Sequence, residues 1–346
     1  MTPKQAAKRP RRRLRALFAI VLALLAGAAY ALYRDYRTFA ETPLAIEREI
    51  TIEVALGTPF ERIVRDLRRR GITDAHPLKW RALAWEMGVM DGLHAGEYVV
   101  GHGLTPRTLL VRMARGSVVQ HAFTIVEGWT FRELRAALAK EPTLRHETTA
   151  LSDAEIMAKI GAAGLHPEGR FLPETYKFPK GWSDTRLLER AHRALQATLA
   201  REWEKRANGL PFATPDEALV LASIVEKETG REDERPLIAG VFVRRLQRGM
   251  LLQTDPTVIY GIGASFDGNL TRAHLTTDTP YNTYTRAGLP PTPIASPGAA
   301  AIEATLNPAP GDALYFVSRG DGSHEFTATL AEHSRAVSRY QLKRGR

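Results

Sequence analysis

The sequence predicts an α+β protein that begins with one membrane-spanning helix. A charge-free run at residues 16–33 predicts the span, and short strand and helix patterns alternate from Glu49. The region from about Leu151 is mostly helical, with a hairpin pattern near its end. The 346 residues, with 44% hydrophobic and 25% charged side chains, have an ordinary globular composition and leave room for two or more domains beside the span.

The N-terminal run, Ala16 to Tyr33, approaches the roughly 20 apolar residues that a bilayer span needs. A basic tail without acidic residues, 1–15, precedes it, so we expect a cytoplasmic N-terminus and an external location for everything beyond Arg34. The alternative is a cleaved signal peptide, because Ala26 to Ala28 resembles a cleavage site. We favour retention, because the run is at the long end for the apolar core of a signal peptide, about 7–15 residues.

The net charge of +10 comes mostly from this tail, and the rest of the chain is nearly balanced. These basic residues are sufficiently explained as an orientation signal for the span, so we predict no nucleic-acid partner. Cysteine is absent, which excludes disulfides, thiolate catalysis and cysteine-ligated metals. The histidines are scattered without ligand spacing, and we predict neither a metal nor a cofactor.

After a linker at residues 34–48, residues 49–118 predict a small α/β subdomain. The strand ITIEV is followed by a helix that a capping box at Thr58 to Glu61 would open. A second helix at Lys79 to Met87 and a strand at Gly96 to Val100 complete the unit. The order strand, helix, helix, strand resembles a LysM-type glycan-binding module, although a spacer domain fits it equally well.

Residues 119–346 form the second predicted domain. A strand at Val118 to Val126 leads to a capping box at Thr130 to Glu133. The segment Thr254 to Pro297 is rich in Gly, Pro, Asn and Thr, but its aromatic residues favour an ordered, functional loop. A hairpin follows, with Leu314 to Val317 and His324 to Thr327 joined through a Gly-Asp-Gly turn.

Two glutamates end the apolar helix that begins at Pro215. Helical spacing places Glu228 on one face with Leu221, Ile224 and Val225, whereas Glu226 lies off that face. A carboxyl group on the core-facing side of a helix end should be partly desolvated, which raises its pKa and suits a general acid. For Glu226 we expect a solvated pair with Lys227 or Arg231. A wholly solvated surface position for both glutamates is the alternative.

Several long segments of the chain share a resemblance. They are LASIVEKET from Leu221, VFVRRLQRGMLLQTDPTVIYG from Val241, YNTYTRAGLPPTPIASPG from Tyr281, VEGWTFREL, EGRFLPETY, LYFV and HEF. Together they resemble the YceG-like, MltG-type endolytic murein transglycosylases. The resemblance covers nearly everything after Glu49, and the N-terminal anchor is similar too.

The resemblance implies a single-pass enzyme of the bacterial inner membrane with a LysM-like subdomain and a lysozyme-like catalytic domain in the periplasm. Its partners would be peptidoglycan glycan strands, the membrane and peptidoglycan synthases. The enzyme would cut the β-1,4 bond between N-acetylmuramic acid and N-acetylglucosamine in nascent strands and leave 1,6-anhydro ends. The catalytic residue of the family matches Glu228, which the helical face also selects.

The same resemblance implies a set of substrate-binding residues: Gln253, Thr254, Asp255, Tyr281, Asn282 and Tyr284. For Asp255 the alternative is an Asx turn before Pro256, and the two tyrosines could simply pack the loop. Two other functions stay open. A hydrolytic muramidase would use Asp255 or Glu226 as a second carboxylate, and a noncatalytic scaffold would only bind glycan.

Overall fold

The computed structural model describes the backbone of residues 9–342 and the side chains of residues 14–341. It is a mixed helical and β protein in which each sheet has two strands. The chain divides into two compact units, one up to Gln120 and one from His121. The predicted basic tail, residues 1–15, lies largely outside the described side chains.

Helix α1 (Arg9–Glu41) contains the predicted span. From Leu14 it is long and apolar enough to cross a membrane, and its side chains are exposed as far as Asp35. The helix continues to Glu41, so residues 34–41, which we expected in a linker, are helical. Tyr36, Phe39 and Ala40 pack against the core of the first unit, and this packing explains why the helix extends so far.

The first unit has the predicted order strand, helix, helix, strand, and one more helix follows. The elements are β1 (Ile50–Val54), α2 (Phe60–Arg69), α3 (Pro77–Glu86), β2 (Gly96–Val100) and α4 (Pro106–Ala114). The strands pair antiparallel with Ile52 opposite Tyr98, and Trp80, Leu83 and Leu109 are among the fully buried core residues. The LysM-like character of this unit stays a prediction.

The capping box predicted at Thr58 was wrong. Helix α2 begins at Phe60, with Pro59 at the N-cap position and no side-chain cap. The Thr58 hydroxyl instead donates a hydrogen bond to the Ala55 carbonyl at 2.7 Å. The threonine therefore closes the preceding turn, and its hydroxyl is not used on the helix amides.

The second unit is mainly helical. Its elements are β3 (His121–Thr124), α5 (Phe131–Leu138), α6 (Asp153–Lys159), β4 (Thr175–Phe178), α7 (Asp184–Glu204), α8 (Pro215–Glu228), α9 (Arg235–Gln247), α10 (Asp255–Ile262), α11 (Arg272–Thr276), α12 (Ala299–Leu306), β5 (Tyr315–Ser318), β6 (His324–Thr327) and α13 (Leu330–Val337). Strand β3 pairs antiparallel with β4 and is shorter than the strand predicted at Val118 to Val126. The capping box at Thr130 is confirmed, and the predicted hairpin is confirmed as β5 and β6.

Helix α8 lies at the centre of this unit. Its N-cap, Thr214, accepts a hydrogen bond from the Glu217 amide, and Pro215 occupies the first turn. Every residue from Ala218 to Val225 is buried, so the apolar surface surrounds the helix and is wider than one face. Contacts with α7, α9, α10 and α12 fix the helix, and Glu228 is its last residue.

The segment 254–297 is ordered, as its aromatic residues predicted. It contains α10, a short 3-10 turn at Gly263–Ser265 and α11. Helix α10 starts at Asp255, and Pro256 is in its first turn, where a missing N–H costs no helical hydrogen bond. This segment and the β5–β6 hairpin bring further polar residues to the end of α8.

Candidate active site

The end of α8 opens into a cavity of about 550 Å³, which we call the Glu228 cavity. Its polar lining includes Glu228, Gln253, Thr254, Asp255, Tyr284 and His324. Strand β5 and helix α13 contribute apolar and aromatic side chains to the opposite wall, among them Tyr315 and Leu330. The structure therefore brings Glu228 together with four of the six predicted substrate-binding residues.

Glu228 is partly exposed on the wall of this cavity. The Thr254 hydroxyl donates a hydrogen bond to its Oε1, and Thr254 itself is buried. Burial raises the pKa of Glu228 to about 6, whereas the hydrogen bond from Thr254 lowers the pKa. The negative charge of Asp255 adds to the rise, and His324 opposes it. A carboxyl group with such a pKa can donate a proton near neutral pH and then accept one.

Gln253 adopts a backbone conformation that is rare for its residue type. Its φ of +52° is the only positive φ of a non-glycine residue in the described part of the chain. The Gln253 amide donates to the Thr283 carbonyl at 3.1 Å, which helps to hold this conformation, and the side chain is exposed in the cavity. A strained backbone conformation persists only where the surrounding structure holds it, and such conformations cluster at functional sites.

Asp255 and Tyr284 form a pair on the cavity wall. The Tyr284 hydroxyl donates to Asp255 Oδ1 at 2.6 Å. Asp255 is the first residue of α10. The alternative role for Asp255 was an Asx turn alone, but its carboxylate also bonds to Tyr284 and lines the cavity. The pair presents a carboxylate and a phenol to a polar ligand.

Asn282 and Tyr281 do not line the Glu228 cavity. Asn282 is fully buried, its Nδ2 donates to the Thr277 carbonyl at 2.6 Å, and its Oδ1 accepts from the Tyr284 amide at 2.9 Å. In this conformation it fixes the loop that carries Tyr284 and is out of reach of a sugar. Tyr281 packs edge-to-face on Tyr260, with ring centroids 4.8 Å apart.

The expectation of a solvated pair for Glu226 was wrong. Its Oε2 accepts a hydrogen bond from the Gly298 amide at 3.0 Å, and Gly298 is the N-cap residue of α12. A carboxylate at a helix N-terminus is stabilised by the unpaired amides and by the helix dipole. Burial raises the pKa of Glu226, whereas the hydrogen bond from the Gly298 amide lowers it. Arg231 pairs instead with Asp233, at 2.7 Å.

Sequence reasoning missed a second pair, His324, which lines the cavity, and Glu234, which lies behind it in the core. Glu234 is buried, its Oε2 lies 2.6 Å from His324 Nδ1, and its Oε1 accepts from the His324 amide at 2.9 Å. A carboxylate oxygen accepts hydrogen bonds, so the imidazole Nδ1 is the donor to Oε2. The HEF segment pointed to His324, but nothing in the sequence pointed to Glu234, which lies 90 positions away.

Comparisons with known proteins identify the family of this chain. The sequence profile of the YceG-like family matches residues 52–339. The chain belongs to the YceG-like family. It is 32% identical over 276 residues to a protein of Bacillus subtilis (strain 168) named endolytic murein transglycosylase, covering 72% of this chain and 74% of that protein. A Streptococcus pneumoniae (strain D39) protein of the same name is 27% identical over 362 residues, covering 93% of this chain and 64% of that protein.

A solved structure extends the family match to three dimensions. The crystal structure of a YceG-like protein from Listeria monocytogenes matches this chain with a TM-score of 0.54 and 27% identity. The match covers 84% of this chain and 99% of that protein. The YceG-like assignment therefore rests on both sequence and fold.

This YceG-like chain also has a larger cavity of about 980 Å³, which we call the Tyr281 groove. Tyr260, Tyr281, Lys227 and Glu168 are among the residues that line it. Glu168 is buried and accepts hydrogen bonds from the Phe131 amide at 2.9 Å and the Tyr260 hydroxyl at 3.1 Å. Burial raises the pKa of Glu168 to about 7. Glu168 thereby connects the first turn of α5 to α10.

Proposed function

We propose that this chain is an endolytic murein transglycosylase. It would cleave the β-1,4 bond between N-acetylmuramic acid and N-acetylglucosamine within glycan strands and leave 1,6-anhydro ends. The observation that carries the proposal is Glu228, a carboxyl group of raised pKa that Thr254 holds in a polar cavity. The names of the curated relatives give the same activity.

The proposed reaction uses one carboxyl group twice. Protonated Glu228 donates its proton to the glycosidic oxygen, and the bond from that oxygen to C1 of the muramoyl residue breaks. The resulting carboxylate then takes the proton of the C6 hydroxyl of the same sugar while that oxygen bonds to C1. Glu228 ends as it began, protonated, and water is not consumed. A pKa of about 6 leaves both forms accessible near neutral pH.

The other cavity residues would bind and orient the sugar. The side-chain amide of Gln253 and the carboxylate of Asp255 supply a donor and an acceptor for hydroxyl and acetamido groups. Tyr284 would keep Asp255 in place, and Thr254 would keep the Glu228 carboxyl in one orientation. For Asn282 and Tyr281 we propose an indirect role, because one is buried and the other lines the Tyr281 groove.

A hydrolytic muramidase is the second candidate, because glycosidases generally need two carboxyl groups near the scissile bond. Asp255 lines the Glu228 cavity, so it could serve as the second group. Glu226 is the weaker candidate for that role, since it binds the Gly298 amide and does not line the cavity. Hydrolysis would leave reducing ends, whereas the transglycosylase leaves none.

For the whole chain we propose a single-pass protein of the bacterial inner membrane with a cytoplasmic N-terminus. The apolar part of α1 supports this arrangement, together with the basic residues that precede it in the sequence. Residues 49–118 would form a LysM-like subdomain with affinity for glycan, and residues 119–346 a lysozyme-like catalytic domain. The membrane anchor would keep the enzyme where peptidoglycan synthases make new strands.

The test uses the full-length protein in detergent with uncrosslinked glycan strands, and the products are weighed by mass spectrometry. We expect fragments lighter by one water than reducing-end sugars from the wild type and from Glu226→Gln, and none from Glu228→Gln. Reducing ends would favour the muramidase. Binding without cleavage by the wild type would favour the scaffold, and loss of cleavage in Glu226→Gln alone would overturn the assignment of Glu228.

A further inference from the structure

Helix α3 has an unusually apolar outer face. Leu78, Ala82 and Trp85 are spaced four and three residues apart and share one side of the helix. Leu78 is 65% exposed and Trp85 is 80% exposed. Together with Arg81 and Met90 they line a shallow recess of about 320 Å³ on the surface of the first unit. A contiguous cluster of exposed apolar side chains is typical of a surface that contacts a partner or a membrane.

The position of α3 relative to α1 suggests what this face contacts. Lys79 Nζ forms an ion pair with Asp35 at 2.7 Å, and Glu86 accepts a hydrogen bond from the Tyr36 hydroxyl. Two residues that are seven apart on α3 thus bind two consecutive residues of α1, so α3 crosses α1 at a steep angle. The crossing lies within about 5 Å, along the helix axis, of Tyr33, where the charge-free run ends.

The buried face of α3 shows which way the outer face points. The Trp80 ring, on the opposite side of α3, meets the Phe39 ring edge-to-face with centroids 5.4 Å apart. Phe39 lies one turn beyond the crossing, toward Glu41, and the buried Ala40 follows it. The core of the unit is therefore on the Glu41 side of the crossing. The face with Leu78, Ala82 and Trp85 looks back along α1 toward its apolar part.

We propose that the outer face of α3 lies in the headgroup layer of the membrane that α1 crosses. The proposal rests on the membrane insertion of α1 proposed above. Tryptophan is enriched at the level of lipid headgroups because its ring is apolar and its indole N–H is polar. Leu78 would reach the upper acyl chains, and the exposed Arg81 would bind lipid phosphates. The occupant is a lipid surface, which makes α3 a second membrane contact that lies parallel to the bilayer.

The experiment places the full-length protein in vesicles of phosphatidylglycerol and phosphatidylethanolamine and measures tryptophan quenching by brominated lipids. Trp85 is assigned by comparing the wild type with Trp85→Phe. We expect bromine near the headgroup end of the acyl chain to quench part of the wild-type emission, and most of that quenching to be lost in Trp85→Phe. Iodide added to the water should quench Trp85 less than it quenches an exposed indole.

A matched variant separates this proposal from the proposed anchor. Leu24→Trp in the Trp85→Phe background puts a single reporter in the apolar part of α1, and deep bromines should quench it. If brominated lipids quench the tryptophan at position 24 but only iodide quenches Trp85, the α3 contact is overturned. The membrane anchor would still be supported. The absence of lipid quenching at both positions would overturn the anchor and, with it, the contact.

Discussion

Glu228 is the last residue of the buried helix α8. The orientation of its carboxyl group depends on one hydroxyl group, that of Thr254. Thr254 is buried and donates to Glu228 Oε1, which selects one orientation of the carboxyl group. The same bond lowers the pKa of Glu228 and partly offsets the effect of burial. A hydrogen bond to a charged group is worth about 1.5–3 kcal/mol. In the proposed reaction Thr254 would be a positioning residue, and its loss should change both the rate and its pH dependence.

We expect Thr254→Val to lower kcat/KM by roughly tenfold or more, the kinetic equivalent of about 1.4 kcal/mol. Without the hydrogen bond the pKa of Glu228 rises, so the acid form persists to higher pH. The alkaline limb of the pH profile should move upward. Thr254→Ser keeps the hydroxyl and should keep the profile. Identical pH profiles for the valine and serine variants would contradict the role of the hydroxyl.

At the scale of single elements, the β5–β6 hairpin is tied to the start of α9 by Glu234. Both of its carboxylate oxygens are used, one on the His324 amide and one on the imidazole. His324 lines the Glu228 cavity, so the hairpin positions one of its walls. A buried carboxylate with two partners stabilises the elements that it joins, because neither partner is left unsatisfied.

We expect Glu234→Gln to destabilise the protein by about 1–3 kcal/mol, since the neutral amide accepts more weakly and cannot satisfy both donors. Thermal unfolding measures the effect. The matched control is Glu232→Gln, because Glu232 is exposed two residues earlier and should leave the unfolding midpoint unchanged. Equal midpoints for the two variants would show that the pair with His324 adds no stability.

The elements also show how far sequence reasoning reaches. The start of α8, the capping box at Thr130 and the hairpin are local patterns, so the chain segment itself determines them. The partner of Glu226 was missed because Gly298 is 72 positions away and meets it only in the folded unit. The burial of Asn282 likewise depends on α11 and its following turn. The family resemblance included Asn282 among the substrate-binding residues. Only the fold shows that Asn282 is buried and supports the cavity without lining it.

At the scale of the whole molecule, two carboxyl groups of raised pKa should make stability depend on pH. The pKa of Glu168 is raised from 4.5 to about 7, and that of Glu228 to about 6. The folded state therefore holds protons that the unfolded chain releases above pH 4.5. The stability that these two groups contribute is fully present below the unfolded pKa and is lost as the pH rises through the folded values.

For Glu168 this shift corresponds to about 3 kcal/mol. We compare how far the unfolding midpoint falls between pH 5 and pH 8 in the wild type and in Glu168→Gln, which lacks the titrating group. The fall should be about 6–12 °C larger in the wild type. The glutamine oxygen can still accept from the Phe131 amide, so the fold should persist. Glu174→Gln, at an exposed position nearby in the sequence, is the control. The same pH dependence in Glu168→Gln and wild type would contradict a titrating Glu168.

Consecutive residues at the end of α8 serve two different cavities, since Lys227 lines the Tyr281 groove and Glu228 lines the Glu228 cavity. Deleting one residue from the buried stretch Ala218–Val225 would turn everything after it by about 100° and draw it back by about 1.5 Å. Both side chains would leave their cavities in that single step. The length of α8 should therefore matter as much as the residue at position 228, because it keeps both side chains in their cavities.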